Sequence, residues 1–464
     1  PALRAKQAEL REAAARVDQA LIGFFPRLTI SAGYSYQNPI ENALGSAQGP
    51  SSVIATRPDP TDTRPLPNGP ITVTPCPDNP ANNCYSVLDP ANPAAPPQAA
   101  NLVAIAPQRI VFPVITNNWQ LAVSLSVPIS DYVLRLSQSY SASVHAQNAK
   151  KLEVQAQGLQ VAADAKIAFY NWVLARGNVV VTAESVAQAR AHLEDARLTF
   201  EVGRISRADV LGLEAQVAAA EQAAVQTEAF LMIAEEQLRQ ALGSKPDQRM
   251  EIGIDVFGAP PAPPADALQA LQQEALRRRL EIRALDETIY SLKEVESVTA
   301  AGYLPRVDAT ANLLYANPNP RVFPQTQEFR ATWDAGVRLT WVLNDTIGNI
   351  PAMEAARART AQIQEQKNLL RDGLRLEVAS AYSDLLKASS QIDASERQLV
   401  AALEAMRVRT ELFRAGRATS TDLIDAENRV TQARLQRINA RVGLLAARTR
   451  LEHAVGRDVD RGVK

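Results

Sequence analysis

The segment GRISRAD, residues 203–209, is answered by GRATSTD at 416–422, at an offset of 213. Both open on Gly-Arg and close on Asp, and each lies between long stretches rich in Ala, Gln, Glu, Arg and Leu, the composition of extended helix. A Gly that stops one helix, followed by a hydroxyl residue and then an Asp, punctuates a helix–turn–helix. Gly203 and Gly416 fit the left-handed position after a helix. Ser206, and Thr419 or Ser420, fit the cap of the returning helix, with Asp209 and Asp422 in or near its first turn.

The echo continues outward. LREAAARVDQALIGFFPRLTISAGYSY (10–36) corresponds to LDETIYSLKEVESVTAAGYLPRVDATANLLY (285–315), with Pro26-Arg27 answered by Pro305-Arg306 at an offset of 279. WQLAVSLSVPISD (119–131) corresponds to WDAGVRLTWVLND (333–345), Trp119 on Trp333 and Asp131 on Asp345, at an offset of 214. Ala241-Leu242-Gly243 and Ala454-Val455-Gly456 close the two halves alike. The chain therefore reads as a tandem duplication of helix, strand, loop, strand, long helix, turn, helix. The first repeat is 1–243, with strands at 24–38 and 109–131, a loop at 39–108 and long helices at 134–243 turning near 203. The second is 269–456, with strands at 303–315 and 329–345 and a turn near 416; 244–268 links the two and 457–464 is a tail. The drop in offset from 279 to 214 places about 65 extra residues between the strands of the first repeat. Twelve prolines between Pro58 and Pro97 exclude helix there, and the insert reads as a long irregular loop.

The strands alternate with period two. Trp119, Leu121, Val123, Leu125 and Val127 share one face, as do Trp333, Ala335, Val337, Leu339 and Trp341. Leu28, Ile30, Ala32, Tyr34 and Tyr36, and Val307, Ala309, Ala311 and Leu313, do the same. Such a pattern fits a half-buried strand of a soluble sheet or a lipid-facing strand of a barrel. The helices carry a narrower seam: Val186, Ala189, Leu193, Ala196, Phe200, then Val210, Leu213, Val217, Ala220, Ala224, then Leu399, Ala402, Met406, Arg409, Phe413. Spacing of three and four with Ala knobs is that of closely packed coiled coils. The run from 134 to 200 would be about 100 Å long. No single globular core buries such helices, so they need neighbours along their length.

Composition narrows the class. A net charge of -1, from 49 basic and 50 acidic side chains, argues against nucleic acid as the main partner. No apolar run reaches the 18 or so residues of a membrane-crossing helix, which leaves a β-barrel open. The chain begins at Pro1 rather than Met and reads as the continuation of a longer product, a signal peptide or lipidation Cys lying ahead of it. Cys76 and Cys84, in CPDNPANNC, fit a small disulfide of an oxidising compartment or two exposed thiols, and make at best half a metal site. His145, His192 and His453 are scattered over helices, outside any constellation. No phosphate-binding loop or nucleophile elbow occurs, and no enzyme, cofactor or metal is expected.

If the four strands cross a bilayer, they leave two open edges, which hydrocarbon forbids, and four strands alone make too narrow a barrel. Sharing the barrel among three copies gives roughly twelve strands, and also gives each seam helix neighbours. At this point the chain resembles the TolC-like outer-membrane factors, on the PR-flanked first strands, the paired second strands and the duplicated tips. The resemblance implies a mixed α/β membrane protein: a homotrimeric twelve-stranded outer-membrane β-barrel, four strands per chain, continued by an antiparallel coiled-coil helical barrel in the periplasm. The segment 244–268 would be its equatorial region. It further implies an exit duct for small molecules, drugs or metal ions, working with a periplasmic adaptor and an inner-membrane transporter; a type I secretion duct is the alternative.

The family's features carry over by position. Val202-Gly203-Arg204 and Ala415-Gly416-Arg417 match the Val-Gly tips that meet the adaptor, the second departing at Ala415. Asp422 and Asp425 match paired aspartates that narrow the periplasmic mouth, three apart on one helical face. The first repeat offers Asp209 but Gly212, so the double ring comes from the second repeat alone. The family's neighbouring Arg falls on Ala418, and Arg417 is its candidate replacement. A structural or adhesive stalk with a small sheet head, and a soluble helical adaptor, are the other classes; the first leaves the strand pairs unexplained, the second the duplicated tips.

Overall fold

The computed structural model describes residues 2–39, 43–44, 52–56, 61, 72–75, 84–88, 98–105, 110–111, 115–245, 248, 250–258 and 266–458. It divides into a helical unit, Pro1–Phe25, Ile129–Arg306 and Thr340–Lys464, and a strand unit, Pro26–Pro128 and Val307–Leu339.

In the helical unit α1 (Ala2–Ile22) packs on α3 (Ser137–Glu201), which α2 (Ile129–Asp131) enters through a π-turn at Tyr132–Leu136. α4 (Arg207–Leu242) returns along α3. The second repeat supplies α5 (Leu268–Arg278), α6 (Leu280–Ala300), α7 (Leu343–Arg414) and α8 (Ser420–Val455). At 65 and 72 residues, α3 and α7 are each about 100 Å long. Their seams are those of the 3-4 spacing. Ala189, Leu193, Ala196, Leu213, Ala220, Leu399 and Phe413 are buried, while Val186, Val210, Val217, Ala224, Ala402 and Met406 are half-buried. Phe200 departs from the seam and is 43% exposed, because the apolar space between the turns is already filled by its repeat counterpart Phe413.

The helix that opens the second repeat is broken at Arg279, whose backbone is extended. Its buried guanidinium donates to Glu281, to Glu377 at 3.1 Å and to the His453 carbonyl at 3.2 Å, tying α6, α7 and α8 together. A second knot lies at the entry to α3. Asp131, 8% exposed, accepts from Arg306 Nη2 at 2.7 Å, with Arg135 Nε at 3.7 Å, while Tyr132 donates to the Phe24 carbonyl at 2.8 Å. This ion pair joins the first residues after one repeat's second strand to the first residue of the other repeat's first strand.

The strand unit holds β1 (Arg27–Tyr36), six short strands, β8 (Asn117–Val127), β9 (Arg306–Asn317) and β10 (Arg330–Thr340). β1, β8, β9 and β10 form one sheet in that order, with β1 and β10 at its edges. Leu28, Ile30, Ala32 and Tyr34 lie opposite Leu125, Val123, Leu121 and Trp119, which in turn lie opposite Ala311, Leu313, Tyr315 and Asn317. The apolar residues thus gather on one face. That face is open: Ile30 is 66%, Trp333 77% and Val337 71% exposed.

Several bounds differ from the sequence reading, among them the strand expected at 109–131, which spans Asn117–Val127 and is followed by helix at Ile129–Asp131. The insert is not wholly irregular: β2 (Ala43–Leu44), β3 (Ser52–Thr56), β4 (Thr72–Pro75), β5 (Cys84–Leu88), β6 (Gln98–Ile105) and β7 (Ile110–Val111) pair within it. Proline forbids helix interiors, yet the Val- and Thr-rich runs between prolines remain free to pair. The strand expected to reach Asp345 ends at Thr340, and α7 takes Leu343 onward. Cys76 and the proposed Cys76–Cys84 bridge lie outside the described residues.

Removing Arg306 leaves the buried Asp131 carboxylate with only Arg135 at longer range. Arg306→Ala is expected to lower the unfolding free energy of detergent-solubilised protein by about 2 kcal/mol, against less than half of that for Asp131→Asn/Arg306→Gln, measured by thermal unfolding.

Candidate functional site

The two helix–turn–helix tips are built alike. α3 stops with Gly203 at φ +74°, its N–H on the Phe200 carbonyl at 2.8 Å and that of Arg204 on Thr199 at 3.1 Å. α7 stops with Gly416 at φ +71°, its N–H on Phe413 at 2.9 Å and that of Arg417 on Leu412 at 2.8 Å. A side chain at either glycine meets open space, so the requirement is the left-handed backbone rather than room. Ser206 caps α4 and Thr419, rather than Ser420, caps α8, each in a reciprocal capping box with Asp209 or Asp422. Val202 is 69% exposed, and Arg204, Ala415 and Arg417 are exposed beside it.

The carboxylates then diverge. The second oxygen of Asp209 crosses to the other tip and accepts from Ser420 N at 3.2 Å and Ser420 Oγ at 2.6 Å. The Ser206 and Ser420 hydroxyls together hold Asp209 down to about 2, well below the usual carboxylate range. Asp422 instead accepts Arg409 Nη1 at 2.9 Å and is held low by the Thr419 cap and by that guanidinium. Arg409, noted in the sequence as a charge on the seam, is thus the cation at this tip. Arg417 is exposed and has no ion-pair partner among the described residues, whereas Arg409 is paired with Asp422. Asp425 is exposed on the next turn of α8. Arg414 reaches Asp195 at 3.1 Å and Gln216 reaches Asn428 at 2.9 Å, adding α3–α7 and α4–α8 ties.

Below the capping boxes Leu193, Ala196, Leu213, Phe413 and Leu423 close an apolar plug. Glu427 is buried beside it, 5% exposed, with His192 Nε2 3.2 Å from Oε1 but both carboxylate oxygens without an aligned hydrogen bond among the described residues. Burial pushes Glu427 up to about 7 and lowers His192. The sequence did carry a signal for Glu427, an acidic residue four after Leu423 inside the buried stripe of α8. His145 and His453 also lie against carboxylates, Glu287 at 2.7 Å and Asp458 at 2.6 Å, a pairing that scattered positions along the chain conceal. Among the described residues no group of three or more His, Cys, Asp or Glu is placed to hold a metal ion.

The sequence profile of the family described as outer membrane efflux protein matches residues 108–244 and 271–457. Outer membrane protein TolC of Vibrio cholerae is 25% identical over 309 residues, 64% of this chain and 69% of its own length. Among solved structures, the outer-membrane channel OprN superposes with a TM-score of 0.69 at 18% identity, over 98% of this chain and 86% of its own. The channel protein CusC superposes at 0.72 and 14% identity, over 98% and 89%. At these identities the solved structures establish the fold.

Asp209 and Glu427 give the tips opposite responses to pH. Asp209, depressed, stabilises the folded tip above about pH 4 and loses that contribution as pH falls toward 2. Glu427, raised, binds its proton more tightly folded than unfolded, so its penalty grows as pH rises through about 7. Glu427→Gln is expected to raise the unfolding free energy by about 2 kcal/mol at pH 8 to 9 and to leave it unchanged below about pH 4, read by thermal melts across that range.

Proposed function

The chain belongs to the outer membrane efflux protein family, whose members are outer-membrane channels rather than enzymes, and from that premise we propose that three copies form the exit duct of a tripartite efflux pump. The observation that carries this is the sheet of β1, β8, β9 and β10. Its strands are 10, 11, 12 and 11 residues long, the span of a hydrocarbon core, and its apolar face is exposed along its length. Tyr34 packs on Trp119 with ring centroids 4.4 Å apart and Tyr315 stacks on Phe329 at 5.2 Å, an aromatic belt at one end of the strands. The other face carries Ser31, Gln120, Ser124, Asn312, Asp334 and Arg338, suited to a wet lumen. Two open edges cannot persist in lipid, and closure by three copies gives about twelve strands.

In this reading α3, α4, α7 and α8 form the wall of a periplasmic tunnel and the tips its mouth. The exposed trio of Val202, Gly203 and Arg204, with Ala415, Gly416 and Arg417, offers the surface on which a periplasmic adaptor docks. The adaptor links the duct to an inner-membrane transporter that supplies the energy. Small molecules are the cargo. Rings of three Asp422 and three Asp425 line the mouth and favour cations. The rings are unequal, because Arg409 neutralises Asp422 while Asp425 is exposed.

Single-channel recording of the purified protein in a planar bilayer tests the duct and its mouth together. A small, cation-selective conductance is expected. Asp425→Asn lowers cation selectivity more than Asp422→Asn does, and Arg409→Ala raises it by unmasking Asp422. Trimers that never conduct, even with both aspartates replaced, would argue for a sealed stalk rather than a duct.

A further inference from the structure

The duplication allows the contact between copies to be written down residue by residue. Within the chain, β8 of the first repeat pairs with β9 of the second, and the Asp131–Arg306 ion pair stands at the foot of that pairing. The repeat offsets convert β8 into β10, by 214, and β9 into β1, by 279. The equivalents of Asp131 and Arg306 are therefore Asp345 and Arg27. Asp131 is the third residue of α2 and Asp345 the third of α7, while Arg27 and Arg306 each follow a proline as the first residue of a strand. Yet Asp345 and Arg27 are both exposed, and neither has an ion-pair partner among the described residues. Arg27 opens the edge strand β1, and Asp345 lies in the first turn of α7, the helix that follows the other edge strand, β10.

The offsets can be checked inside the molecule. Applied to the β1–β8 pair Gly33↔Gln120, they place Asn312 opposite Asp334 across β9 and β10. Those two side chains are hydrogen-bonded at 2.9 Å. The same arithmetic on Val123↔Leu313 and Ala122↔Leu314 pairs Val337 with Tyr34 and Gly336 with Ser35.

Resting on the trimeric reading, we propose that β10 of one copy pairs antiparallel with β1 of the next in this register, Leu339 opposite Ala32, Val337 opposite Tyr34 and Ala335 opposite Tyr36, locked at its foot by an ion pair between Asp345 and the neighbour's Arg27. The occupant of each open edge is a second copy of this chain. Two independent features select the register. It sets apolar residues of β10 beside apolar residues of β1 on a single face, which a slip by one residue would invert. It also brings together opposite charges that the chain itself leaves apart, in the relation already realised by Asp131 and Arg306.

The test is disulfide trapping in a background with Cys76 and Cys84 replaced by Ser. Gly336→Cys with Ser35→Cys, on the polar face, is expected to give covalent dimers and trimers on a denaturing gel under oxidation. Arg338→Cys with Ser35→Cys, two residues out of register, is expected to give little. Efficient trapping of the slipped pair in native trimers overturns the register while leaving the trimer intact. An unmodified protein that is monomeric on a native gel overturns the trimeric reading and this contact with it. A charge swap supplies the second measurement: Arg27→Asp and Asp345→Arg each lower the temperature at which trimers dissociate, and together they recover most of the loss. Single variants no less stable than the unmodified trimer overturn the ion pair.

Discussion

An unpaired strand edge in hydrocarbon is the constraint on which this molecule is organised. Each N–H and C=O left without a partner in lipid costs several kcal/mol, so a sheet with β1 and β10 as open edges cannot be a finished object there. Its apolar face adds a second demand, since among the described residues Trp333 and Val337 stay largely exposed. Bilayer and neighbouring copies meet the two demands together. In the proposed trimer the bilayer would cover the face, and copies of the chain would close the edges.

The helices pose a similar question and answer it by side-chain size. Their cores are thin: Ala142, Ala149, Ala156 and Ala163 recur every seven residues along the buried side of α3, and larger side chains gather in a few clusters. Small knobs allow close approach of helices but bury little area each, so stability must accumulate over many turns. That is a reason for helices of 65 and 72 residues rather than an incidental feature of them. Apolar residues left outside these seams, among them Phe230, Met232, Leu369 and Leu376, stay exposed in the single chain. Further copies packed alongside would cover them.

Much of this architecture was legible because it is periodic. Period two gave the strands their faces, the 3-4 spacing gave the seams, and the repeated Gly-Arg and Asp gave the turns with their caps. What escaped was of another kind. Arg409 could be seen as a charge on a seam, but its partner Asp422 lies across a turn whose geometry no spacing supplies. The Asp209–Ser420 link joins residues 211 positions apart, and only folding brings them together. The short strands of the insert were hidden by prolines that bound them, a case where the signal against helix was taken as a signal against order. Phe200 and Phe413 have the same local sequence pattern and opposite fates, Phe413 buried in the plug and Phe200 exposed.

That last asymmetry points to how a duplicated chain makes an unduplicated mouth. Both repeats spend one carboxylate oxygen on a helix cap, and the copies part company over the other oxygen. Asp209 gives it to Ser420 and so clasps the first tip to the second. Gly212, the counterpart of Asp425, faces that clasp: a Cβ there would lie 3.7 Å from Ser420 Oγ. A carboxylate at this position would compete with Asp209 for the same hydroxyl and repel it at close range. On α8 no such clasp stands in the way, and Asp425 points into the open. A Gly at 212 is thus compatible with the contact that holds the tips together, and Asp425 is left as the exposed member of the Asp422/Asp425 pair.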